Sequence, residues 1–142
     1  SLNPYYHFAH QGLGDAYSAK SMFHEAINEF KMSAELSDND PMAVANLACL
    51  YFETGETIKA EKLFNTLKKR SEHEYISPMC FFMYHRIRGD LDEAYEWLKQ
   101  ACIDHDSRLV LWRTHPIERY RIPDEPRFIE LMDQDGLGNF LT

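Results

Sequence analysis

The residues best suited to chemistry fall in a few small groups. His7 and His10 lie three apart on one helical pattern, with Asp15 five residues further on. Imidazole and carboxylate groups bind metals and carry protons, but this spacing matches no metal-ligand pattern on a helix. The group reads as surface histidines. Asp104-His105-Asp106 offers three donors in a row, yet adjacent polar residues after a helix serve more naturally to cap and turn the chain. Cys49, Cys80 and Cys102 are odd in number and widely spaced. They have neither zinc nor disulfide-framework spacing, which points to buried, reduced thiols in a cytoplasmic protein. Gly12-Leu13-Gly14 lies inside a helical pattern and lacks the preceding strand that a phosphate-cradling loop needs. No nucleophile–base frame is present either. The expectation is a non-catalytic chain: no catalytic residue, no metal and no cofactor.

Charge narrows the partners. The 142 residues carry a formal net charge of −8, the wrong sign for phosphate binding, so nucleic acid is not expected as a direct partner. The basic run Lys68-Lys69-Arg70 falls at the end of a predicted helix, where cations complement the helix dipole. Apolar runs are only a few residues long, far short of the roughly 20 needed to span a bilayer, so a soluble protein without membrane contact is expected. There is no basic start followed by an apolar segment, hence no visible signal peptide. The start at Ser1, without an initiator Met, suggests a fragment of a larger protein.

What positions these side chains is a repeat. Leu13, Tyr17, Ser21, Ala26 and Phe30 recur 34 residues later as Leu47, Tyr51, Gly55, Ala60 and Phe64. A further 34 residues on, the same frame holds Phe81, His85, Gly89, Ala94 and Leu98. A period of this size implies stacked supersecondary units, none able to bury its apolar face alone. Helical spacing predicts helices over about 4–19, 22–36, 41–53, 57–70, 77–88 and 91–104. Asn3-Pro4 and Asp40-Pro41 supply helix starts. Ala26, Ala60 and Ala94 each precede a large apolar residue by four, so each pair shares a helix face and lets a partner helix approach. Gly55 and Gly89 permit the positive φ of a tight turn, whereas Ser21 is a weaker choice.

These residues resemble the signature of the tetratricopeptide repeat (TPR) family. It is carried by Leu13-Gly14 with Tyr17, Ala26 and Phe30, by Leu47-Ala48 with Tyr51, Gly55, Ala60 and Phe64, and by Phe81 with Gly89, Ala94 and Leu98. Ala48 and Phe82 stand where the family has a small glycine. The resemblance implies an all-α, right-handed superhelical solenoid of helix-turn-helix repeats. Residues 1–106 would hold three repeats, at about 7–40, 41–74 and 75–108 in register. After Asp106 the register decays. Trp112 suggests a fourth start, but Pro116 ends that helix, Pro123 takes the place of Gly89, and Phe128 stands where Ala94 stood. Residues 107–142 therefore read as a degenerate fourth repeat and helical cap, with a short helix at 124–133 stopped by Gly136. The tail WRTHPIERYRIPDEPRFIELM is also similar to the C-terminal ends of bacterial TPR regions attached to adenylate cyclases, protein kinases and winged-helix regulators, which implies a signalling protein.

In the family, the leftover stripe of each first helix lines a concave groove. Here the stripe holds Phe8, Gln11, Asp15 and Ser18, then Met42, Ala45, Cys49 and Phe52, then Ile76, Met79, Met83 and Arg86 or Ile87. An exposed apolar patch with methionine suits an irregular apolar partner. The expected peptide-binding groove comprises Gln11, Asp15, Met42, Ala45, Asn46, Cys49, Phe52, Ile76, Met79, Met83 and Arg86. Asn46 is placed either to bond a ligand's backbone or to bond its own helix. Two alternatives stand beside an open groove: internal burial of the stripe, by curvature or by the tail residues Phe140 and Leu141, and self-association as a homodimer. One family subtype clamps an acidic C-terminus with fixed cations. Its positions here hold Gln11, Asp15, Ile76 and Cys80, and only Asn46 matches, so that ligand is disfavoured. The functional expectation is a protein-interaction module that binds a peptide or helix; the rival is a homo-oligomerisation or spacer module.

Overall fold

The computed structural model describes residues 5–134. Among them the regular structure is entirely helical: α1 Tyr6–Ala19, α2 Phe23–Leu36, α3 Pro41–Glu53, α4 Thr57–Arg70, α5 Pro78–Arg88, α6 Leu91–Ile103, α7 Arg108–Trp112 and α8 Pro126–Gln134. None is long and apolar enough to cross a membrane. The expected roles of Asn3-Pro4, Gly136, Phe140 and Leu141 fall outside the described residues. The chain divides into two compact units, Ser1–Ile76 and Ser77–Thr142.

In the first unit each helix packs against the next: α1 on α2, α2 on α3 and α3 on α4. The fit of α1 to α2 is set by Gly14, where an added Cβ would sit 2.5 Å from the Phe30 ring. Gly14 is thus a packing residue. Asp40 caps α3 by accepting the Ala43 N–H at 3.2 Å, with Pro41 in the first turn, and Gln11 of α1 donates to the same Asp40 carboxylate at 3.1 Å. At the far end of α4, Arg70 ion-pairs with Glu74 and donates to the Asn39 carbonyl at 2.8 Å. The basic run that ends α4 therefore includes a residue tied to the turn after α2.

In the second unit α5 packs on α6, and α6 on α8. Ser77 caps α5 by accepting the Met79 N–H at 3.1 Å, and its hydroxyl donates to Asp106 at 2.6 Å. Asp106 also accepts the Arg108 N–H, while His105 takes φ +54°. Asp104-His105-Asp106 thus contains a turn residue and an anchoring carboxylate. α7 has only five residues and ends at Trp112, four short of Pro116. Trp112 is buried with Tyr120 at 4.6 Å between ring centroids, and its carbonyl accepts the Ile122 N–H. Phe128 of α8 is fully buried and meets Tyr95 of α6 edge-on.

The turns inside the three hairpins share one backbone pattern. Ser21, Gly55 and Gly89 take φ of +58°, +89° and +82°. Each is followed by a six-to-one hydrogen bond closing the helix end, from Met22 to Tyr17, Glu56 to Tyr51 and Asp90 to His85, at 2.8–2.9 Å. Ala26, Ala60 and Ala94 are completely buried, and so are Ser33, Leu67 and Ala101, at the same 34-residue interval.

Candidate functional site

The expected groove stripe does not lie open. Ala45, Asn46, Cys49, Ile76, Met79 and Met83 are all buried. The cause is that α3 and α5 are covered on every side: Ala43 through Tyr51 and Pro78 through Tyr84 are unbroken runs of buried residues. A helix apolar all round is a core helix and not one wall of a cleft. The expectation of an exposed, Met-rich wall therefore differs from the structure at those six positions. Asn46 takes the inward role, its amide donating to the Met42 carbonyl at 3.0 Å.

Five of the eleven expected groove residues keep some exposure: Gln11, Asp15, Met42, Phe52 and Arg86. Two of them are committed to the fold. Gln11 holds the Asp40 cap. Arg86 donates through Nε to the Arg121 carbonyl at 2.9 Å and lies 3.6 Å from Glu118. Burial pushes the Arg86 guanidinium below its ordinary pKa, Glu118 opposes that shift, and Arg121 adds to it. Within the first unit Asp15, Met42 and Phe52 are half-exposed.

The groups singled out for chemistry are also placed. His10 lies 2.6 Å from Glu29 across the α1–α2 contact, and the His7 ring meets its neighbour Phe8 at a 38° tilt. Cys49, Cys80 and Cys102 are buried thiols. No cluster of three or more metal-ligating side chains occurs among the described residues.

Sequence reasoning missed a cleft of about 470 Å³ in the second unit, lined by Arg113 and Arg121 together with Ile122, Pro123, Ile129 and Met132 among others. Arg113 faces Asp133 at 3.4 Å, and Arg121 donates to the carbonyls of His115 and Pro116. One signal was present in the sequence. Five of the chain's eight arginines lie between residues 107 and 134, a region otherwise read only as a cap.

Comparison with family models returns no match, and comparisons with curated proteins and with solved structures return none either.

Proposed function

We propose that this chain is a non-catalytic, TPR-like interaction module of a cytoplasmic signalling protein, binding an apolar peptide or helix. Its hairpins stack as a right-handed solenoid with a helical cap, and the partner is gripped at the few expected groove residues that keep exposure. The observation that supports this best is the threefold recurrence of one turn: positive φ at Ser21, Gly55 and Gly89, the same six-to-one bond, and a buried alanine five residues later. Repeated units of this kind stabilise one another through neighbour contacts and leave extended surfaces for binding. The three buried thiols suit a reducing compartment.

Burial directs the contact to the groove residues of the first unit that remain half-exposed, Met42, Phe52 and Asp15. Peptides selected from a random library on the wild-type chain should bind with affinity of order micromolar, about −8 kcal/mol. Met42→Lys with Phe52→Lys should abolish that binding while the circular dichroism spectrum stays unchanged. Binding of equal strength to the double variant would place the contact elsewhere and defeat this reading.

A further inference from the structure

We propose that the cleft of the second unit binds a small ligand carrying one carboxylate on an apolar body. The site does not depend on the peptide contact at Met42 and Phe52. It is built from Arg113 and Thr114 just after α7, the segment Arg121–Asp124, and Ile129 and Met132 of α8. Its volume of about 470 Å³ falls in the range of small-molecule sites, roughly 300–1,000 Å³. Ile122, Pro123 and Met132 are buried and Ile129 is 37% exposed, so much of the lining is hydrocarbon.

The polar part of the lining centres on Arg121. This side chain is half-buried, and its hydrogen bonds all leave through Nη1, to the carbonyls of His115 and Pro116 at 3.3 and 3.4 Å. Those bonds fix the guanidinium without neutralising it. Its Nε and Nη2 bond to no described residue, and no described carboxylate lies within ion-pair distance. These two atoms form the edge of a guanidinium that grips a carboxylate through parallel hydrogen bonds. Arg70 uses that edge within this chain, its Nε and Nη2 reaching the two Glu74 oxygens at 3.4 and 2.9 Å. Arg121 has the same edge, fixed in place at a cleft, and the described chain supplies no acid for it. On a chain of net charge −8 that is a conspicuous omission.

The neighbouring charges set the size of the anion. Arg113 is met by a single 3.4 Å contact from the exposed Asp133, which leaves little net charge on that pair. Asp124 also lines the cleft, but it is exposed to water and makes no ion pair among the described residues. One uncompensated cation therefore remains, opposed only by a solvent-screened acid. That balance suits a monoanion with two planar oxygens. A phosphate, with up to two charges and three acceptor oxygens, asks for more donors than one edge of Arg121 offers. A carboxylate on Arg121 with its hydrocarbon against Ile122, Ile129 and Met132 engages both parts of the lining.

Octanoate is the probe. Titrated into the isotope-labelled full chain, it should shift the Arg121 side-chain N–H signal and the methyl signals of Ile122, Ile129 and Met132, with Kd of about 1 mM or tighter. Octanamide keeps the shape without the charge, and propionate keeps the charge with little hydrocarbon. Each should bind at least about tenfold more weakly than octanoate. Ile129→Glu sets a like charge at an exposed lining position and should weaken octanoate at least about tenfold, whereas Ile129→Gln should weaken it less. Arg121→Gln should abolish the shifts, and Arg121→Lys, which keeps the charge but loses the fork, should retain only part of the affinity. If Arg121→Gln disturbs its own segment, the Ile129 pair still decides. Absence of shifts at these residues at about 10 mM octanoate, octanamide binding as tightly as octanoate, or Ile129→Glu binding as tightly as Ile129→Gln overturns the proposal. Tighter binding of octyl phosphate overturns the choice of carboxylate. Tighter binding of a short peptide ending in Leu-Phe with a free carboxylate assigns the cleft to a protein terminus and overturns the small-ligand reading.

Discussion

Replacing Gly89 by alanine leaves every hydrogen bond of its turn in place and changes only what the backbone must tolerate. Gly89 ends α5 at φ +82°, ψ +8°, with nothing within 4 Å of an added Cβ. The penalty is therefore conformational and not steric crowding by neighbours. For an L-residue the left-handed basin spans about φ +50° to +70°, so alanine at +82° lies outside it. Holding an L-residue left-handed costs roughly 1–2 kcal/mol, while losing glycine's freedom in the unfolded chain returns about 0.4–1 kcal/mol. Gly89→Ala should thus destabilise by up to about 1.6 kcal/mol. The same substitution at Gly12, a helical site with equally open surroundings, should stabilise by up to about 1 kcal/mol. Guanidinium titration at a concentration low enough to keep the chain monomeric reads both values, provided the slope is unchanged. Equal signs at the two sites would refute the reasoning, because local space is the same and only φ differs.

Two further outcomes follow from buried groups. The Ser33 hydroxyl is fully buried with no hydrogen-bond partner among the described residues, and Ala101 holds its place in the third copy; Ser33→Ala should raise stability by about 1 kcal/mol, and a loss in thermal melting would show that the hydroxyl is satisfied. Burial lowers the His85 pKa from its ordinary 6.5, against the pull of Glu93 and Asp90. The unfolded chain then binds the proton more readily, so stability present above pH 6.5 should fall as the pH drops through and below that value. His85→Tyr, the residue at this register in the other two copies, should flatten that acid limb in pH-dependent denaturation. An unchanged limb would assign the acid sensitivity to other groups.

The hairpins were legible because they rest on residue size at fixed intervals. Gly55 and Gly89 announced positive φ, and Ala60 and Ala94 announced close helix contact. Ser21 took the same conformation without the glycine, since the six-to-one bond and the packing on either side define that turn. The groove was less legible. Which face of a helix meets solvent depends on everything packed around it, and stripe counting on one helix cannot see that. A clue existed in plain composition: Pro41 through Phe52 and Pro78 through Tyr84 contain no charged residue, as befits helices enclosed on all sides. The links from Gln11 to Asp40 and from Arg86 to the Arg121 carbonyl span 29 and 35 residues. Such pairings follow from assembled geometry, beyond any local pattern.

The contrast between α3 and α4 has a consequence for how this protein can diverge. α3 buries nine consecutive residues, whereas α4 buries only Ala60, Phe64 and Leu67. A library randomised along α3 should yield few folded members, while one randomised at the outward positions of α4 should yield many. Sequence drift in this hairpin would then accumulate on α4, while α3 would remain nearly frozen apart from its half-exposed ends at Met42 and Phe52.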